Sequence, residues 1–102
     1  MKKVIYKYTV EVGYNTLYLP KDSIILHLGD QKGSLTLWVL LDLDEVLTEL
    51  HEIYIVGTGW SDIQDSWKYL GTVQQGSLVW HAFYIKYSDK LTEEILERHD
   101  GI

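Results

Sequence analysis

The chain has 102 residues, 46% of them hydrophobic and 24% charged, which is enough apolar material for one core and rules out a disordered composition. Nine basic residues stand against fifteen acidic ones, for a net charge of −6, so the basic face that a polymeric nucleic acid requires is missing. The absence of cysteine excludes both a disulfide framework and a thiolate zinc site.

Met1-Lys2-Lys3-Val4 leads directly into alternation rather than into an apolar signal core. Leu37–Leu41, the longest apolar run, falls far short of the roughly 20 residues of a membrane helix. A cytoplasmic protein without membrane contact is therefore expected. Residues 3–12 put Val4, Tyr6, Tyr8, Val10 and Val12 on one side and Lys3, Lys7, Thr9 and Glu11 on the other, the period of a half-buried strand. Gly13-Tyr14-Asn15-Thr16 reads as a turn, because Gly and Asn tolerate positive φ. Leu17-Tyr18-Leu19 is a short strand stopped by Pro20, which has no N–H to give a ladder.

Ile24–Leu28 and Leu35–Leu41 form the next two strands, joined by the loop Gly29-Asp30-Gln31-Lys32-Gly33. The second sets Leu35, Leu37, Val39 and Leu41 against Trp38 and Leu40, so it is apolar on both faces and belongs in the middle of a sheet. Residues 46–50 fit either a helical turn or the start of a strand. Glu52–Val56 is a strand ending at Gly57-Thr58-Gly59-Trp60, and residues 61–66 are a polar loop. Trp67–Gln74 is a strand, Gln75-Gly76-Ser77 a tight turn, and Leu78–Tyr87 a long, central final strand. Ser88 is a suitable N-cap for a C-terminal helix that carries acidic residues early, Arg98 late and a stripe of Leu91, Ile95 and Leu96. The whole predicts a β domain over residues 1–87 and a helical extension over 88–102. Its architecture is mainly β: a small antiparallel sandwich or barrel of about seven strands.

Three blocks then carry a resemblance: the opening Lys3-Val4-Ile5-Tyr6-Lys7-Tyr8; Trp38 in a strand after Leu19-Pro20; and Gly57-Thr58-Gly59 ahead of Leu70-Gly71-Thr72-Val73 and Leu78-Val79-Trp80-His81-Ala82-Phe83. In this order, over about residues 2–86, they resemble a family of small proteins encoded by tailed phages. Trp60 stands where that family's pattern has a histidine, and the helix after Ser88 is an addition to it. The resemblance implies phage origin and the host bacterial cytoplasm, and brings no activity with it.

Chemistry has few footholds. His27, His51, His81 and His99 show no metal-ligand spacing, and Asp42, Asp44 and Glu45 lack the glycine and distal glutamate of a calcium loop. No nucleophile elbow surrounds Ser61, Ser66 or Ser77, so an enzyme is not expected and no cofactor is implied. His81 reads as an enclosed, hydrogen-bonded core residue. Gly57-Thr58-Gly59 is either a strand end that needs glycine for its dihedrals or a nest of N–H groups for an anion. Trp60 and Trp67 flank a loop bearing Asp62, Gln64 and Asp65. They either tuck under that loop or offer a stacking platform.

The candidate ligand-binding residues are thus Gly57, Thr58, Gly59, Trp60, Gln64, Trp67, Tyr69, Thr72 and His81. The expected function is non-enzymatic: a phage product that sequesters a small nucleotide-like signal of host defence, with Lys68 and Lys86 left to meet any phosphate. The alternative is an acidic protein that docks on a host or phage protein. A β edge and the helix stripe also leave room for a homo-oligomer.

Overall fold

The structure, a computed structural model, describes residues 1–87. Seven strands build it: β1 (Lys3–Thr9), β2 (Gly13–Pro20), β3 (Ile24–Gln31), β4 (Ser34–Asp42), β5 (Thr48–Gly57), β6 (Lys68–Gln75) and β7 (Leu78–Lys86). Every pairing is antiparallel. β1, β4 and β3 form one sheet in that order, and β2, β5, β7 and β6 the other. The fold is a two-sheet sandwich. Among the described residues no helix is long and apolar enough to cross a membrane. The helix expected after Ser88 lies outside the described residues.

The two sheets are held by alternate side chains aimed at each other. Leu35, Leu37, Val39 and Leu41 of β4 meet Ile53 and Ile55 of β5, Leu19 of β2 and Ala82 of β7, all of them buried. Two-sided apolarity places β4 between β1 and β3, and β7 between β5 and β6. Both strands are central in their sheets, as expected, but neither is covered on both faces: in a two-sheet sandwich the outward residues, Trp38 and Leu40 of β4 and Phe83 of β7, are only half-buried. Tight hairpins join β3 to β4 and β6 to β7, and β1–β2, β2–β3 and β4–β5 cross between the sheets.

Several local expectations need correction. Gly13–Thr16 is not a turn: it begins β2, with Gly13 at φ +102° and Tyr14 directly opposite Tyr54 of β5. The bend falls earlier, after Thr9. There Asn15 Oδ1 accepts the Glu11 N–H at 2.9 Å, and Val10 is buried with its N–H donating to the Leu35 carbonyl. Asn15 supplies the turn chemistry its residue type suggests, but through its side chain. The five-residue loop 29–33 shrinks to Lys32-Gly33, at φ +51° and +87°, because Gly29, Asp30 and Gln31 keep pairing with β4. Two successive positive φ values are what a two-residue hairpin demands. Residues 46–50 resolve into a connection and a strand that starts at Thr48. Trp67 precedes β6 rather than opening it.

Candidate functional site

The outward face of the four-stranded sheet holds most of the candidate residues. Register aligns Tyr14, Tyr54, Phe83 and Tyr69 in one row across β2, β5, β7 and β6. Neighbouring rings sit in contact: Tyr14 and Tyr54 at 5.3 Å between centroids, Phe83 and Tyr69 at 5.7 Å and edge to face. Trp67 folds back from the loop before β6 and covers the middle of the row. It stacks on Tyr54 at 4.0 Å, with planes 13° apart, and also touches Phe83. Its indole is half-buried, so one face is used internally, while Tyr69 at the end of the row remains 60% exposed.

Two residues along β7 from Phe83 the face turns polar. His81 lies between Val56 and Thr72 in register, half-buried on the surface of the sheet and not in the core. Its Nε2 is 2.8 Å from Thr58 Oγ1 and its Nδ1 3.0 Å from Thr72 Oγ1, and Thr72 Oγ1 is in turn 2.5 Å from the Tyr69 hydroxyl. Four groups thus form one hydrogen-bonded line, Tyr69–Thr72–His81–Thr58. A neutral imidazole donates from one nitrogen and accepts at the other, so its tautomer sets the direction of the whole line. Whichever direction holds, one terminal hydroxyl keeps a free O–H and the other a free lone pair.

The glycines around Thr58 serve the turn that carries it. The Trp60 N–H donates to the Gly57 carbonyl at 3.2 Å, and Gly59 takes φ +88° at the third position. Trp60 leaves the outward face: its indole lies over Gly57 and meets the edge of Trp80 at 5.9 Å. The two loop tryptophans therefore separate, one toward the strand end and one onto the aromatic row. Gln64 also stays apart, its amide donating to the Asp62 carbonyl within the loop. Of the nine candidates, Thr58, Trp67, Tyr69, Thr72 and His81 share one face; Gly57, Gly59, Trp60 and Gln64 shape its approaches.

Glu52, which the sequence reading did not single out, lies beyond the aromatic row on the same face. It accepts hydrogen bonds from the Tyr14 and Tyr87 hydroxyls, and this raises both phenols to about 12. A second omission is His51, 2% exposed on the inward face of β5. Burial lowers its pKa, against the Glu49 carbonyl 3.3 Å from Nδ1. Its alternation with Ile53 and Ile55 was the available signal. The partners of Glu52 were not visible, since they depend on which strands pair.

His51 lines a cleft of about 440 Å³ at the end of the sandwich where β3 and β6 begin. Lys68 and Lys86 line the same cleft, with Ser23, Tyr84 and Leu70. Among the described residues, no three of His, Asp and Glu converge so as to hold a metal ion.

The family model described as a domain of unknown function, DUF7352, matches residues 1–92, and the chain belongs to that family. No curated protein and no solved structure matches it.

Proposed function

We propose that this protein is a non-enzymatic binding protein that holds a small, planar, nucleotide-like ligand on the outward face of the four-stranded sheet. Its biological setting in this reading is a phage withholding a host defence signal in the bacterial cytoplasm. The observation that carries the reading is the line Tyr69–Thr72–His81–Thr58 running beside the exposed Tyr69 ring. A flat heteroaromatic ring stacks on an aromatic side chain for about 1–3 kcal/mol, and its edge needs one donor and one acceptor nearby. The ends of this line offer one of each. Both nitrogens of His81 are engaged by threonine hydroxyls, so the imidazole holds the line in place.

Thermal melting against a panel of linear and cyclic nucleotides tests this, since a ligand that binds only the folded state raises the midpoint. Thr72→Val and His81→Ala should abolish the shift while leaving the protein folded. A panel without any shift overturns the reading.

A protein partner is the second reading, favoured by the outer face of the three-stranded sheet. There Ile5, Ile24 and Leu26 are exposed around Trp38 and Leu40, with Lys7 and His27 at the margin. Such a contiguous apolar face suits a protein surface better than a small ligand. Charge substitution at Ile5 and Ile24 should release such a partner and leave nucleotide shifts intact.

A further inference from the structure

The interior cleft stands on residues that the outward face does not use, apart from Tyr69 at its lip. It lies between the sheets, walled by Ile25 of β3, Leu70 of β6, and His51 and Tyr84 from the inward faces of β5 and β7. At about 440 Å³ it falls within the range of small-molecule sites, which combine apolar walls with a few convergent polar groups.

Those polar groups are unusual for a chain of this charge. Two of its nine basic residues, Lys68 and Lys86, line this one cleft. Lys86 Nζ stands 3.7 Å from Glu49, whose carboxylate also accepts the Asp22 N–H at 2.9 Å. Lys68 makes no ion pair among the described residues. The local balance is therefore one uncompensated positive charge, in a concavity partly screened from water. Here His51 matters. Its Nδ1 faces the Glu49 carbonyl, while Nε2 has no hydrogen-bond partner among the described residues and the ring lines the cleft. Buried polar groups are nearly always satisfied, and a buried ring nitrogen left open in a lined cavity points to a ligand atom or ordered water.

We propose that this cleft binds a small oxyanion of the phosphate type, held between the ammonium groups of Lys68 and Lys86 and completed by His51. Besides Glu49 and Lys86, the titratable groups that line the cleft with His51 are Lys68 and Tyr84, and Tyr69 stands at its lip with its ring on the outward face. With burial keeping the imidazole neutral, Nε2 accepts the proton of a monoprotonated phosphate. In acid it becomes a donor and adds a second net positive charge. Affinity for an anion of fixed charge must then rise as the pH falls.

Calorimetric titration of the full chain with inorganic phosphate, sulfate and acetate tests this. Phosphate and sulfate should saturate one site. Lys68→Met should weaken both roughly tenfold, as loss of a charge-assisted hydrogen bond does, and Lys68→Arg should restore most of it. Sulfate keeps its charge through mild acid, so its affinity should rise severalfold from about pH 7.5 to about pH 5.5 in the wild type and stay flat in His51→Gln. Should His51→Gln fail to fold, Lys68→Met still decides, because that lysine is exposed. Absence of saturable binding, indifference to Lys68→Met, or a preference for acetate over phosphate each overturns the proposal. A nucleoside monophosphate identifies the source of the phosphate. Affinity equal to that of inorganic phosphate marks a site for the free ion. Tighter binding, reduced by Thr72→Val as well as by Lys68→Met, marks one ligand that spans cleft and outward face. Loss of nucleotide binding in Thr72→Val with phosphate binding intact separates this site from the function proposed above.

Discussion

Gly57→Ala tests how the turn bearing Thr58 is held. Gly57 does not take a positive φ, so alanine brings no backbone strain, and only the new methyl matters. That methyl would stand 2.8 Å from Trp60 Nε1 and 2.9 Å from Trp60 Cε2, closer than any real contact, so the indole must move away. Trp60 is 51% exposed, so roughly half of a surface of about 200 Å² is covered. At about 25 cal/mol per Å², lifting the ring off costs at most about 2.5 kcal/mol. Replacing glycine in a strand returns about 0.5–1 kcal/mol, leaving a net loss of about 1.5–2 kcal/mol. In a Trp60→Ala background the clash is gone, and the same substitution should stabilise by about 0.5–1 kcal/mol. Urea unfolding of the four proteins in the cycle measures the coupling. An equal cost of Gly57→Ala in both backgrounds would refute the packing of Trp60 on Gly57.

Leu37→Ala, at a fully buried position between the sheets, should cost about 2–5 kcal/mol in the same assay. Glu52→Gln should bring the two phenols now at about 12 back toward the ordinary tyrosine value, read as an earlier rise in ultraviolet absorbance during alkaline titration. These raised values favour the folded state fully below about pH 10, and that contribution disappears as the pH rises through about 12. His51 acts in the opposite sense. Its lowered pKa means that the unfolded chain binds the proton first, so stability is full above about pH 6.5 and declines as the pH falls through the folded-state value. Chemical denaturation from neutral to mildly acidic pH, in the absence of phosphate and sulfate, should show a steeper decline in the wild type than in His51→Gln.

The inward faces were legible in the sequence because burial writes itself as period two. Leu35, Leu37, Val39 and Leu41 alternate without a break, and the apolar residues on both sides of β4 and β7 mark them as central. Pro20 ends β2 where its missing N–H requires. Local turn chemistry was less decisive: Gly13 and Asn15 carry the signature of a turn, yet pairing with β5 draws them into a strand. Trp67 continues the alternation of β6 by one residue, and nothing local reveals that its ring leaves the strand to lie on Tyr54. Residue type thus determined that there are about seven strands, that the alternating Leu35, Leu37, Val39 and Leu41 face the interior, and that no cysteine chemistry exists. Only the tertiary structure decided that Tyr14, Tyr54, Phe83 and Tyr69 share a row, that His81 lies outside and His51 inside, and that Lys68 and Lys86 line one cleft. Each of these depends on which strands are neighbours and in what register, and that is set by contacts between residues far apart in the chain, which no local pattern encodes.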